Sequence, residues 1–425
     1  MNWQLDLEIL ISAFCFGYPF VMAWYWMAGG ILFSWIRERH EPLPENPPTL
    51  AAYPMVSILV PCHNEEDQAE ETFVALAQME YPDFEIVAIN DGSRDRTAEV
   101  LDTLAARIPQ MRVVHLTRNQ GKANALNAGA LLASGELLVC IDGDALLDRH
   151  AVTWLVRRMQ SDGKLGAVTG NPRIRNRATL LGRLQVGEFS AIVGLIKRAQ
   201  TVFGWLFTVS GVIVCFRKKA VHEAGWWSPA TLTDDVELTW RLQFAGWRIA
   251  FEPKAICWIL MPERLRGLWR QRLRWSEGGT QTILLSLPKL LSRPFHYRRG
   301  WPACLNYIFS IAWAYLMCLA PLLWLLKSTG LPVQACIPTF SLVPEWWGLI
   351  LSITYVFQAL VSIRIDSRFE KGMGRALFWV VWYPLMFWML QAATAVAAFP
   401  QAFFRLRNPK GTWVSPDRGM TRQTT

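Results

Sequence analysis

Four long apolar stretches interrupt this chain of 425 residues, and they restrict its possible folds more than any other feature. They cover residues 9–36, 301–326, 346–363 and 376–404. Each one reaches or approaches the ~20 residues that a helix needs to cross a bilayer. The segment between the first and second stretches shows ordinary alternation of polar and apolar residues. We therefore expect a membrane protein with a large soluble domain between its spans.

The charges around these stretches predict an orientation. The first stretch lacks a basic leader and a small-residue cleavage site, so we expect a retained anchor rather than a signal peptide. Basic residues gather on the side of the central domain: Arg37, Arg39, His40, Arg293, Arg298 and Arg299. Because positive charge stays inside, the central domain is predicted to be cytoplasmic and the N-terminus external.

The side of the C-terminal tail stays open at this stage. Three spans after the domain would place the tail outside, but its basic residues favour the cytoplasm. The fourth stretch contains Pro384, Gln391 and Pro400, which predict a broken or re-entrant segment. We favour a cytoplasmic tail on the basis of five residues: Arg405, Arg407, Lys410, Arg418 and Arg422.

Composition excludes two classes of protein. The net charge of +9 could suggest nucleic-acid binding, but there is no basic arm or aromatic-basic motif, and membrane flanks account for much of the excess. Of the eight cysteines, only Cys336 falls in a predicted external loop, so no disulfide framework is implied.

These observations divide the chain into six predicted segments. They are an anchor (1–40), a proline-rich linker (41–55), an α/β domain (56–260), amphipathic interfacial helices (261–299), a C-terminal membrane region (300–404) and a basic tail (405–425).

Within the central domain, strand-like runs alternate with helical segments. The runs cover 56–60, 84–89, 111–116 and 137–141, and the helical segments cover 66–78, 97–108 and 122–133. Further strands are predicted at 165–168 and 209–216. This alternation predicts a Rossmann-like, mostly parallel sheet, in which ligands bind beyond the carboxyl ends of the strands.

The run that ends at Ile141 is followed directly by Asp142-Gly143-Asp144. Alternate residues of an extended chain point the same way, so both carboxylates can face one site. Mg²⁺ commonly binds between one or two carboxylates and substrate phosphates. The pattern indicates either a metal–diphosphate site or a turn with solvated aspartates.

Two other strand ends carry polar residues. Pro61, Asn64 and Glu65 follow the first run, and Asp91 follows the second. A carboxylate at Asp91 can accept the imide N–H of uracil, although Asp91-Gly92 is also an ordinary turn.

Several further residues are candidate substrate contacts. Lys122 opens a helix after a glycine loop, which suits an anionic phosphate, although a solvated lysine would fit the pattern too. Without a complete phosphate-loop motif, ATP hydrolysis is not favoured. The remaining candidates follow or lie within later strands: Asn171, Arg173, Ser210 and Gly211.

Two motifs follow toward the membrane. Thr233 is expected to cap a helix whose first turn holds Asp234 and Asp235, and Asp235 is alternatively a general base. On the amphipathic segment 268–287, Gln271, Arg274 and Trp275 occupy neighbouring helical positions, as in an interfacial helix or a sugar-binding face.

Taken in order, these motifs resemble those of the membrane-embedded processive glycosyltransferases of family 2, which have the GT-A fold. The resemblance rests on Asp91, Asp142-Gly143-Asp144, Thr233-Asp234-Asp235 and Gln271-Arg272-Leu273-Arg274-Trp275. The triplet has Asp234 where Glu is commoner, but it keeps the last aspartate. Longer strings are similar to bacterial synthases of β-1,6-linked poly-N-acetylglucosamine: 139–148, 167–175, 186–189, 194–198, 257–263 and 413–418.

The resemblance implies an inverting hexosyltransferase that polymerises N-acetylglucosamine from UDP-N-acetylglucosamine for a biofilm polysaccharide. It implies Mg²⁺ or Mn²⁺ at Asp142 and Asp144, with Asp144 the direct ligand, and Asp235 as the base. It also implies a multi-pass protein of the bacterial inner membrane that passes the polymer outward, with a small membrane subunit and cyclic-di-GMP control.

Three alternatives remain at this stage. One is a synthase of another β-linked polymer of the hyaluronan, chitin or cellulose type. Another is a non-processive transferase acting on a lipid carrier, against which the Gln271–Trp275 motif argues. The last is a transporter or receptor that keeps the fold, against which the intact acidic set argues.

Overall fold

The computed structural model describes residues 3–329, 346–382 and 387–406. Its strands in chain order are β1 (Val56–Cys62), β2 (Phe84–Asp91), β3 (Met111–Leu116), β4 (Leu137–Ile141), β5 (Leu146–Leu147), β6 (Leu165–Ile174), β7 (Ile213–Arg217) and β8 (Arg248–Ile259).

The helices fall into two sets. Those of the central domain are α2 (Ala69–Ala77), α3 (Thr97–Ala105), α4 (Lys122–Leu132), α5 (Ala151–Gln160), α6 (Leu180–Glu188), α7 (Leu195–Phe203), α8 (Lys218–Glu223), α9 (Asp234–Phe244) and α10 (Leu265–Ser292). The apolar stretches form α1 (Trp3–Phe33), α11 (Trp301–Ser328), α12 (Trp346–Asp366), α13 (Ala376–Val380) and α14 (Met389–Arg405). Short π-helical turns cover Ser34–Glu38 and Phe189–Gly194, and 3₁₀ turns cover Arg298–Gly300 and Met373–Arg375.

The strands form one sheet in the order β3-β2-β1-β4-β7-β6-β8-β5. The pairs β1/β2, β2/β3, β1/β4 and β6/β8 are parallel. Strand β7 is antiparallel to both β4 and β6, and β5 is antiparallel to β8. The predicted mostly parallel α/β sheet is therefore confirmed.

The sheet is buried on both faces, which explains the near-continuous apolar runs in its sequence. Alternate residues of β1 enter different cores: Ile58 and Val60 pack toward α2, α3 and α5, whereas Leu59 packs toward α4, α8 and α9. Two predicted strand boundaries were wrong. β6 continues to Ile174, so Asn171 and Arg173 lie inside a strand, and β7 begins only at Ile213.

Within the part of the chain that the structure describes, three helical segments are long and apolar enough to cross a membrane, namely Ile9–Glu38, Arg298–Leu322 and Trp346–Asp366. The fourth apolar stretch is instead divided between α13 and α14. Helix α14 packs along α10 and α11, so this stretch contacts the domain as well as a candidate span. Several sequence-based expectations concern residues outside those described: Cys336, Pro384, Arg407, Lys410, Arg418, Arg422 and the string 413–418.

A buried ion-pair network joins the candidate spans to the domain. Asp366, at the end of α12, pairs with Arg173 of β6 (3.0 Å) and with Arg198 of α7 (2.9 Å). Arg198 also pairs with Glu38, which follows α1 (2.8 Å). Asp366 is completely buried, and Arg198 is only 1% exposed. Because buried charges need partners, the spans and the domain stabilise one another.

We expect Asp366→Asn to destabilise the protein, because it leaves two buried arginines undercompensated. Breaking a buried pair from one side costs about 3–5 kcal/mol, which would lower the unfolding temperature in detergent. Arg364→Gln, an exposed change on the same helix, is the matched control and should have little effect. An Asp366→Asn variant as stable as wild type would show that the arginines do not depend on this carboxylate.

Candidate active site

The direction of β7 places two distant loops side by side. Because β7 runs antiparallel to β4, its first residue, Ile213, lies opposite Ile141, the last residue of β4. The turn Ser210-Gly211, which immediately precedes β7, is therefore beside Asp142 and Asp144, which follow β4. This turn is closed by the Ile213 N–H, which donates to the Ser210 carbonyl at 3.0 Å.

One ammonium group connects the two halves of this site. The Lys122 Nζ forms an ion pair with Asp142 and donates to the Gly211 carbonyl at 3.3 Å. The Gly211 N–H donates in turn to Asp235 Oδ2 at 3.2 Å. Asp142 and Asp235 thus share one site, although they lie 93 positions apart in the sequence. A Cβ at position 211 would lie 3.2 Å from Asp235 Oδ2, so the close approach favours glycine.

The charges in this site are strongly coupled. Burial alone would lower the pKa of Lys122, but Asp142, Asp234 and Asp235 together raise it well above its usual range. Burial raises the pKa of Asp234 to about 6, with Asp235 and Asp142 adding to the effect and Lys122 opposing it. The lysine is therefore held as a cation among carboxylates, which is the arrangement expected where an anionic ligand must be accepted.

The Asp142–Asp144 loop rests against the end of β1. Thr72 donates its hydroxyl hydrogen to the Gly143 carbonyl at 2.9 Å. A Cβ at Gly143 would lie 3.3 Å from Glu65 Cγ and 3.4 Å from the Pro61 carbonyl. Pro61 and Glu65 are buried, whereas Asn64 is exposed. The loop after β1, which carries Asn64 and Glu65, therefore lies against the Asp142–Asp144 loop.

Asp91 is completely buried and holds the loop that leads into α4. Its two carboxylate oxygens accept the backbone N–H groups of Gln120 and Gly121, both at 2.8 Å. His63 Nδ1 lies 2.9 Å from the Asp91 carbonyl, and Asn119 Nδ2 lies 3.0 Å from His63 Nε2. This contact set positions Lys122. The proposed recognition of uracil by Asp91 stays a prediction.

Thr233 occupies the N-cap position of α9, but its hydroxyl makes no capping hydrogen bond, so that part of the capping prediction was wrong. Instead, its side chain packs against Gly278 of α10, where a Cβ would overlap the hydroxyl. The Leu232 N–H donates to Gln281 of the same helix at 3.0 Å. Helix α10 is therefore docked on the segment that presents Asp235.

On α10, the buried arginine is Arg272, and the predicted Arg274 is exposed. Arg272 donates to Glu188 Oε2 at 2.7 Å, and its guanidinium lies 4.5 Å from the Trp275 ring centroid. Gln271 Nε2 lies 3.9 Å from the Met261 sulfur. Neither Arg272 nor Glu188 was predicted to support the site. The two residues are far apart in the sequence, so no local pattern indicates that they form an ion pair.

Asn171 and Arg173 use their polar groups elsewhere. Asn171 donates to the Pro253 carbonyl at 2.8 Å, and Arg173 belongs to the network around Asp366. Both side chains are buried, and these contacts join them to other elements rather than to the carboxylates around Lys122. Their predicted substrate contacts are not supported by these placements and stay predictions.

Asp142 and Asp144 could hold a hard divalent cation if a bound substrate supplied further oxygen ligands. The available groups are the carboxylates of Asp142 and Asp144, and oxygen is the donor that Mg²⁺ and Mn²⁺ prefer. Among residues 3–329, 346–382 and 387–406, no cluster of three or more His, Cys, Asp or Glu side chains could hold a metal alone. This agrees with a cation that takes its remaining ligands from phosphate oxygens and water.

Comparison with known proteins identifies relatives over nearly the whole chain. The family model for glycosyltransferase like family 2 matches residues 54–278. A poly-beta-1,6-N-acetyl-D-glucosamine synthase of Staphylococcus aureus strain MSSA476 is 37% identical, with 96% of this chain and 98% of the relative covered. A synthase of the same name from Staphylococcus epidermidis is 36% identical, with 95% and 97% covered.

Among solved structures, the mannosyltransferase PcManGT from Pyrobaculum calidifontis, in complex with GDP-Man and Mn²⁺, has a similar fold. The TM-score is 0.61 at 18% identity, and the match covers 94% of this chain and 99% of that one. At this identity the likeness establishes the fold alone.

We expect Lys122→Met to destabilise the protein more at alkaline than at acidic pH. Burial raises the pKa of Asp234 to about 6 although Lys122 opposes this increase, so removal of the ammonium raises that pKa further. The folded state then binds more protons than the unfolded one, and stability falls as pH rises through the pKa of Asp234. Unfolding temperatures at about pH 5 and about pH 8 measure this, with the exposed Lys219→Met as control. A deficit that is equal at both pH values would contradict the electrostatic role of Lys122.

Proposed function

Because this chain belongs to glycosyltransferase family 2, we propose that it polymerises N-acetylglucosamine from UDP-N-acetylglucosamine into a β-1,6-linked polysaccharide. The convergence of Asp142, Lys122, Gly211 and Asp235 in one site carries the catalytic part of this proposal. The sugar and linkage rest on the synthases that align with almost the entire chain at 36–37% identity.

In the proposed reaction, Asp235 is the general base. It accepts the proton of the 6-hydroxyl at the end of the growing chain, and the oxygen attacks the anomeric carbon of the donor sugar. The bond from that carbon to the UDP oxygen breaks in the same displacement, which converts an α-linked donor into a β-linkage. The Gly211 N–H donates to Asp235 Oδ2 and the Val236 N–H donates to Oδ1 at 2.9 Å, so two backbone amides fix the orientation of this carboxylate.

The departing diphosphate is matched by positive charge. Lys122 carries an ammonium beside Asp142, where it can neutralise phosphate oxygens. A divalent cation, Mg²⁺ or Mn²⁺, held by Asp144 together with Asp142, would supply Lewis-acid stabilisation of the leaving group when bound. The predicted nucleoside contacts are Pro61, Asn64, Glu65 and Asp91, which lie at the ends of β1 and β2 next to the loop carrying Asp144.

Helix α10 is proposed to form the acceptor side. The Trp275 ring, supported from one face by Arg272, offers an aromatic surface for the terminal sugar. Gln271 and Arg274 are proposed to contact the diphosphate, together with Ser210 and Gly211 of the turn before β7. Because Arg274 is exposed, its contact requires ligand to approach that face of α10.

We further propose a location in the bacterial inner membrane with the domain in the cytoplasm, where nucleotide sugars are made. The three apolar helices support membrane association, and the positive flanks favour this orientation. A polar polymer cannot cross lipid unaided, so the spans are proposed to form its exit path. A small membrane subunit and cyclic-di-GMP control are part of the proposal from family resemblance only.

Membranes containing the wild-type protein are expected to release UDP from UDP-N-acetylglucosamine and to form a polymer cleaved by a β-1,6-specific hydrolase. Asp235→Asn should lower turnover by about 10²–10⁴-fold, because general-base assistance is lost, while UDP binding persists. Asp83→Asn, an exposed change, is the control. Faster turnover of a different UDP-sugar would contradict the proposed donor. Wild-type turnover by Asp235→Asn would show that Asp235 is not the general base.

Metal removal provides an independent test. Chelation of divalent cations should abolish turnover, and Mn²⁺ or Mg²⁺ should restore it in wild type but not in Asp144→Ala. Calorimetric titration with UDP in the presence and absence of Mn²⁺ gives a readout apart from turnover, with metal-enhanced affinity expected in wild type alone. Equal metal enhancement in Asp144→Ala would rule out this aspartate as a ligand.

A further inference from the structure

Lys197 of α7 is a buried amine that the roles proposed above do not use. Lys197 is only 5% exposed, and its Nζ donates to Ser210 Oγ at 2.5 Å and to Thr169 Oγ1 at 3.4 Å. Within the described part of the chain, these two hydroxyl groups are the hydrogen-bond partners of its Nζ. A lysine buried on hydroxyl groups loses the hydration of its amine, which indicates a role for these contacts.

The hydroxyl groups that hold Lys197 belong to the segment that contacts Asp235. Thr169 Oγ1 also accepts the Ser210 N–H at 2.8 Å, so the backbone and side chain of Ser210 are both anchored to this pair. The next residue is Gly211, whose N–H donates to Asp235 Oδ2. Displacement of Ser210 would therefore also move the Gly211 N–H, which donates to the proposed base, Asp235.

The electrostatics of Lys197 point to the same neighbour. Burial lowers its pKa to about 7, and the carboxylate of Asp235 is the group that opposes this decrease. The charged groups that face Asp235 are Asp234 on its own helix, Lys122 on α4, Asp142 after β4 and Lys197 on α7. Lys122 is already neutralised by its ion pair with Asp142, whereas Lys197 has hydroxyl partners only.

We propose that Lys197 is a positioning residue for the reaction: by donating to Ser210 and Thr169, it anchors the turn whose Gly211 amide donates to Asp235. This inference rests on the proposed function, since it assigns Lys197 a task in setting the proposed base. It separates the two lysines of the site. Lys122 faces the acidic pair that binds the leaving group, and Lys197 supports the group that activates the acceptor.

The test compares Lys197→Met with wild type by measuring UDP release over a range of UDP-N-acetylglucosamine concentrations. We expect kcat to fall about tenfold or more and the donor KM to change less, because the lost anchor acts on the amide that orients the proposed base. Lys197→Arg, which keeps a side-chain N–H donor at this position, should recover more of the wild-type kcat than Lys197→Met does.

Lys218→Met is the matched control. Lys218 is a half-buried lysine of the same domain, and its Nζ donates to the Ala133 carbonyl at 2.7 Å. This variant should keep the wild-type kcat and donor KM. If Lys197→Met does not fold, Thr169→Val decides the anchoring role, because Thr169 Oγ1 accepts the Ser210 N–H: a lower kcat supports this role, and wild-type kcat overturns it.

Two failures are distinguishable. An active wild-type enzyme together with a normal kcat in folded Lys197→Met would overturn this inference alone. A wild-type protein that releases no UDP from UDP-N-acetylglucosamine, in membranes and with Mn²⁺, would overturn the proposed function and this inference with it.

Discussion

The contact of the Lys122 ammonium with Asp142 on one side and the Gly211 carbonyl on the other holds the site together. Three carboxylates near one another repel, and their burial adds a desolvation cost that a lone cation must offset. The lysine is itself held in place because Asp91 binds the two amides that precede α4. A buried aspartate at the end of β2 thus determines where the central charge of the site lies.

The sheet explains why such distant segments can meet. Parallel strands bring the ends of β1, β2 and β4 to one edge, as the alternation of runs and helices predicts. Strand β7 runs in the opposite direction, so its first residues, rather than its last, lie at this same edge. A purely parallel sheet would place them at the other edge. The Ser210-Gly211 turn and, through it, Asp235 reach the acidic pair by this reversal.

Sequence patterns were sufficient for the parts of the molecule that depend on local periodicity or on short motifs. The strand cores, the mostly parallel sheet and the acidic residues at its edge follow from runs of apolar residues that end in Asp or Asn. Features that depend on long-range partners were missed. Nothing near Arg272 in sequence shows that Glu188 will neutralise it, and nothing near Arg173 indicates Asp366. Thr233 has the residue type of a cap, but the close approach of Gly278 decides how its side chain is used.

The ionic network around Arg198 has a consequence for how the protein can be divided. Its partners, Glu38 and Asp366, belong to the first and third membrane-candidate segments, whereas Arg198 follows Lys197 on a helix that reaches the catalytic edge. A fragment that consists of residues 56–260 would lack Glu38 and Asp366. The buried guanidinium of Arg198 would then have lost both of these carboxylate partners. The central domain and the membrane-candidate helices therefore form one folding entity, in which α7 connects the ionic network to the edge of the sheet that carries Ser210.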